Sequence, residues 1–156
     1  MLQLASYSVV FQEVPDEVTL AINLSGCPNR CKGCHSPHLQ ENTGLRLDSS
    51  VLAALLEKYG SAVTCVCFMG GDAAPGEVEQ LAKFLRQKTC GRIKAAWYSG
   101  KSKLPAGCSI ENFSYIKLGG YIEQLGGLDS AATNQRFYRI DNRQMTDMTK
   151  CFRKKR

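Results

Sequence analysis

The sequence predicts an α/β fold: a parallel sheet with flanking helices, left open as a partial (β/α) barrel. Two observations predict it. Strand-like and helix-like segments alternate at the spacing of βα units, which build parallel sheets. The chain has 156 residues, and a closed eight-fold barrel typically takes about 250.

The elements follow in order. Val18 to Leu24 reads VTLAINL, with Val18, Leu20, Ile22 and Leu24 on one face and smaller or polar residues between them. That period of two predicts a strand. Asp48 to Tyr59 sets Val51, Leu52, Leu55, Leu56 and Tyr59 on one helical face. Asp48 suits the N-cap, and Gly60 suits a left-handed residue past the end. Val63 to Met69 (VTCVCFM) is a short apolar run, as expected of a buried parallel strand. Gly70-Gly71-Asp72 follows at once. Pro75 then suits the first turn of a helix reaching about Lys88, with Val78, Leu81, Ala82 and Leu85 inward. Arg92 to Tyr98 predicts a further strand ending at Ser99-Gly100. Tyr115 to Leu118 predicts a short one ending at Gly119-Gly120, and Phe137 to Ile140 a last one. Ligands of parallel α/β sheets gather at the carboxyl ends of the strands. Four segments therefore belong around one crevice: the loop after Leu24, Gly70-Gly71-Asp72, Ser99-Gly100 and Gly119-Gly120.

Hydrophobic content of 44% and charged content of 22% are near the globular average and exclude global disorder. No stretch approaches the roughly 20 apolar residues of a membrane span. The N-terminal residues lack the basic start and apolar run of a secretory signal. The expected location is the cytoplasm, where thiols stay reduced. The net charge of +6 is local: Lys150, Arg153, Lys154, Lys155 and Arg156 account for five of the 20 basic residues, which leaves 15 against 14 acidic ones. The expected organisation is one domain over residues 1–148 and a mobile basic tail over 149–156. Such a body does not point to nucleic acid.

Eight cysteines in a reducing compartment point to metal rather than disulfides. Cys27, Cys31 and Cys34 form C-x3-C-x2-C in the loop after the first strand. Thiolates are soft ligands suited to iron–sulfur or zinc, and Gly26 and Gly33 let the backbone fold tightly around a compact group. A cubane held by three cysteines leaves one iron open to substrate. The alternatives are a zinc site that takes its fourth ligand from His35 or His38, and three unrelated structural cysteines. Cys65 and Cys67 lie two apart in an apolar strand and read as small core residues. Cys90, Cys108 and Cys151 are isolated, and Cys151 lies among basic residues.

With these residues in view, the sequence resembles the radical S-adenosylmethionine enzymes, whose signature is C-x3-C-x2-C after the first strand. Finer features resemble one branch, the small activating proteins of the anaerobic (class III) ribonucleoside-triphosphate reductase. These are the short length, the GC-x3-C-x-GCH phrase at Gly26 to His35, FMGGD at Phe68 to Asp72, and the stretch from Tyr115 to Tyr138. The resemblance runs from about Val14 to Ile140. Ser36 departs from it, standing where many members carry Asn.

The resemblance implies a barrel of the radical S-adenosylmethionine type. Cys27, Cys31 and Cys34 would ligate three irons of one [4Fe–4S] cluster, and S-adenosylmethionine would chelate the fourth. Gly70, Gly71 and Asp72 would meet the methionine amino end through their backbone. Gly33 and His35 would border the adenosyl end, and Ser99 would contact the methionine carboxylate or ribose. The implied reaction is one-electron cleavage of the S–C5′ bond to methionine and a 5′-deoxyadenosyl radical. That radical abstracts hydrogen from a glycine of the large reductase subunit, with flavodoxin as the implied donor. Two other functions compete: activation of another glycyl-radical enzyme of the pyruvate formate-lyase type, and a zinc-stabilised nucleic-acid-binding module.

Overall fold

A computed structural model describes residues 2–27, 29 and 44–152. Its strands are β1 (Gln3–Val10), β2 (Thr19–Leu24), β3 (Leu45–Arg46), β4 (Cys65–Met69), β5 (Lys94–Tyr98), β6 (Tyr115–Leu118), β7 (Arg136–Asp141) and β8 (Gln144–Asp147). Helix α1 spans Ser49–Tyr59 and α2 spans Pro75–Thr89. All eight strands form one sheet in the order β3-β1-β2-β4-β5-β6-β7-β8. Its centre, β2-β4-β5-β6, is parallel, and every pairing outside it is antiparallel. The fold is thus mixed α/β, with an open sheet whose parallel part is narrower than the sequence implies. No described helix is long and apolar enough to cross a membrane.

The parallel strands carry two separate cores because successive side chains point to opposite faces. On the helix-bearing face, Leu20, Ile22, Leu24, Val66, Phe68, Trp97 and Ile116 pack against Leu52, Leu56, Val78, Leu81 and Leu85. On the other face, Cys65, Cys67, Ala96, Tyr98 and Phe137 pack with Val14, Met148 and Phe152. Cys65 and Cys67 are fully buried, as their place in an apolar strand predicts. The 3-10 turn Thr149–Phe152, which the sequence assigns to the tail, lies against β7, with the Phe152 ring 4.9 Å from that of Phe137.

Asp48 caps α1, accepting from the Val51 N–H at 3.0 Å. Gly60 is not left-handed as expected. It keeps right-handed angles, φ −61°, and donates its N–H to the Leu56 carbonyl. Pro75 opens α2, where its missing N–H costs nothing, and Val78, Leu81, Ala82 and Leu85 are its buried residues.

Below the second core, Glu17 is 6% exposed and paired with Lys94 at 3.1 Å. It also accepts from the Tyr115 hydroxyl at 3.3 Å. The Glu17 hydrogen bond holds the Lys94 ammonium above its usual range. Burial does the same to the Tyr98 and Tyr115 hydroxyls. Groups raised on folding contribute stability that is whole below their unfolded pKa values, about 10, and is lost as pH rises beyond them. Thermal melts between pH 9 and 11.5 should therefore show a steep alkaline loss. Glu17→Gln should make that loss shallower by removing the part that belongs to Lys94.

Candidate iron–sulfur site

Three of the four predicted turns meet through one carboxylate. Asp72 Oδ1 accepts from Ser99 Oγ at 2.5 Å. Its Oδ2 accepts from the Gly100 N–H at 2.8 Å and from Asn29 Nδ2 at 2.6 Å. Ser99 Oγ in turn accepts from the Lys101 N–H at 3.1 Å. Asp72 thereby joins the cysteine loop after β2, the turn after β4 and the turn after β5. The side chain of Asp72 organises the crevice.

Gly70 and Gly71 have φ of 108° and 84°, angles that side-chain-bearing residues rarely adopt. A Cβ on Gly70 would stand 3.2 Å from the Leu24 carbonyl oxygen, and one on Gly71 would stand 2.6 Å from Val78 Cγ2. The bare turn therefore presses against both the end of β2 and α2. The Gly70 carbonyl accepts from Trp97 Nε1 at 2.7 Å, and the Gly71 carbonyl from the Ala74 N–H at 3.0 Å. An ammonium group at these carbonyls would use the second lone pair of each. Trp97→Phe leaves the Gly70 carbonyl without its buried donor. The expected cost is about 1–3 kcal/mol, read as a lower denaturation midpoint at unchanged slope.

The fourth turn joins through backbone and amide contacts. The Gly119 N–H donates to the Lys101 carbonyl at 2.7 Å. Asn134 Nδ2 donates to the Gly120 carbonyl at 3.0 Å, and Gln135 Nε2 to that of Gly119 at 3.3 Å. Asn134 and Gln135 thus brace this turn. The only sequence signal for them was their place in a phrase that resembles a family stretch.

Cys27 is half-buried at the start of the cysteine loop, with its Sγ 3.5 Å from Asn29 Nδ2. Cys31, Gly33, Cys34 and His35 lie outside the described residues. Among the described residues, no three His, Cys, Asp or Glu side chains stand close enough to hold a metal ion. The six described cysteines are all free thiols. The crevice fits a compact cluster in two respects. A soft ligand, Cys27, follows the carboxyl end of β2, and the turns after β4 and β5 carry glycines that add no side chains there.

In the sequence the cysteine triplet follows directly on β2, a parallel strand of a mixed α/β sheet. The family model for a 4Fe-4S single cluster domain matches residues 18–104, more than half of the chain, and the chain belongs to that family. The matched span begins just before β2 and ends after Ser99 and Gly100, so it contains the cysteine loop and the Asp72 staple. No curated protein and no solved structure matches the chain.

Proposed function

We propose that this iron–sulfur protein is a glycyl-radical activating enzyme acting on the large subunit of an anaerobic ribonucleotide reductase. The observation that carries the reading is the C-x3-C-x2-C triplet in the loop after β2, within a chain of the 4Fe-4S single cluster family. Cys27, Cys31 and Cys34 hold the cluster and leave one iron for S-adenosylmethionine. A cluster held there would supply one electron for reductive cleavage of the sulfonium bond, the chemistry needed to take a hydrogen atom from the partner's glycine.

The chain's own residues bind and orient. Gly70 and Gly71 offer backbone without side chains to the methionine end. Asp72 holds the turns on either side of that end at a fixed separation. Gly33 and His35 border the adenosyl end. The sheet does not close on itself, and an open sheet gives a polypeptide loop a way in. A reduced flavodoxin supplies electrons, and the cytoplasm is the setting.

The test is anaerobic incubation of the reconstituted protein with S-adenosylmethionine and reductant, with and without the large reductase subunit. Methionine and 5′-deoxyadenosine in equal amounts, with a glycyl-radical EPR doublet only when the subunit is present, support the reading. Cleavage with a pyruvate formate-lyase type partner alone reassigns the substrate. A colourless zinc protein with tight, salt-dependent RNA or DNA binding overturns the reading.

A further inference from the structure

Asn29 lies inside the cysteine triplet, two residues after Cys27. Among the described residues, its side chain alone bridges a cysteine of this loop and the Asp72 staple. Its Nδ2 stands 2.6 Å from Asp72 Oδ2 and 3.5 Å from Cys27 Sγ. A primary amide nitrogen carries two hydrogens in a plane, so it can serve both acceptors at once. Asp72 is itself held by Ser99 and by the Gly100 N–H. The place for the amide exists because residue 100 is glycine: a Cβ there would collide with Asn29 Nδ2.

We propose that Asn29 is a positioning residue that sets the reduction potential of the cluster by donating one amide hydrogen to the Cys27 sulfur. The proposal rests on the reading that Cys27 is a cluster ligand. Its physical basis is charge. One-electron reduction adds a negative charge that spreads over the cluster and its thiolates. An N–H aimed at a ligand sulfur stabilises the reduced state more than the oxidised one and raises the potential. Hydrogen bonds to the sulfurs are among the main determinants of cluster potentials, with net charge and solvent exposure. Asp72 contributes by fixing the amide. Its carboxylate takes the other hydrogen in a charge-assisted bond and keeps the amide from turning its oxygen towards the sulfur, where like charges would meet. A residue that only braced the loop would affect stability and cluster uptake but not potential.

The experiment is an EPR-monitored redox titration of the anaerobically reconstituted protein, comparing wild type with Asn29→Leu and Asn29→Ala. The expected result is a midpoint shifted to more negative potential in both variants, with the iron and sulfide content of wild type. A midpoint equal to that of wild type overturns the role of Asn29. Should neither variant take up a cluster, pulsed EPR on the reduced wild-type protein with 15N-labelled asparagine side chains decides. A coupled side-chain nitrogen is expected, and its absence overturns the proposal. Failure of the underlying reading looks different: Cys27→Ser would retain the cluster, or wild type itself would take up none.

Discussion

Cys27→Ser is expected to leave the protein without a stable cluster and to abolish S-adenosylmethionine cleavage, whereas Cys67→Ala should retain both. Serine offers a hard oxygen where soft iron–sulfur chemistry wants thiolate, and neither buried cysteine of β4 can take its place. Cys65 and Cys67 are sealed in the second core on β4. Burial pushes the Cys65 thiol up to about 12 and holds the Cys67 thiol well above its usual range, so neither is a thiolate at neutral pH. Cys90 terminates α2, at the opposite edge of the sheet from the crevice. Cys67→Ala removes a packed sulfur and should cost about 1–2 kcal/mol with no loss of colour. Iron content and visible absorbance after anaerobic reconstitution, beside a denaturant melt, separate the two outcomes.

Asp72→Ala is expected to loosen the crevice more than any other substitution among the residues that join its turns. It deprives Ser99 Oγ, the Gly100 N–H and Asn29 Nδ2 of one shared acceptor. Hydrogen bonds to a charged group contribute roughly 1.5–3 kcal/mol each. Asp72 is half-buried, so water recovers part of the loss. The net cost should be about 2–4 kcal/mol. The three turns should also drift apart, and both cluster retention and S-adenosylmethionine affinity should fall together. Asp72→Asn keeps one acceptor oxygen and presents an NH2 to the remaining donors. Its cost should lie between those of wild type and the alanine variant. Equal stability of all three proteins would show that the staple does not hold the crevice.

The elements legible in the sequence were those with an apolar period and a core to fill. β2, α1, β4, α2, β5 and β6 show one, and each folds within two residues of its predicted bounds. β1 was not legible because QLASYSVV mixes Ala and Ser with apolar residues, and its burial is partial on both faces. β3 has two exposed residues, and β8 is a mostly polar outer strand, so neither carries a pattern. Together with β7, which is predicted but runs antiparallel to β6, these strands turn a parallel sheet into a mixed one. At the site, strand ends followed by glycine placed the turns along one edge correctly. The staple was invisible because it joins Asn29, Asp72 and Ser99, residues 27 to 43 positions apart whose pairing depends on the finished sheet. Gly60 shows the converse limit: a glycine permits a left-handed cap without requiring one.

The proposed function requires a single [4Fe–4S] cluster with three cysteine ligands and one iron open to S-adenosylmethionine. Mössbauer spectroscopy of 57Fe-reconstituted protein, recorded with and without S-adenosylmethionine, tests it most directly. One cluster per chain is expected, in which a single iron changes its spectrum on adding S-adenosylmethionine while the other three do not. Four equivalent irons indifferent to S-adenosylmethionine, or a protein that binds zinc and no sulfide, would contradict it.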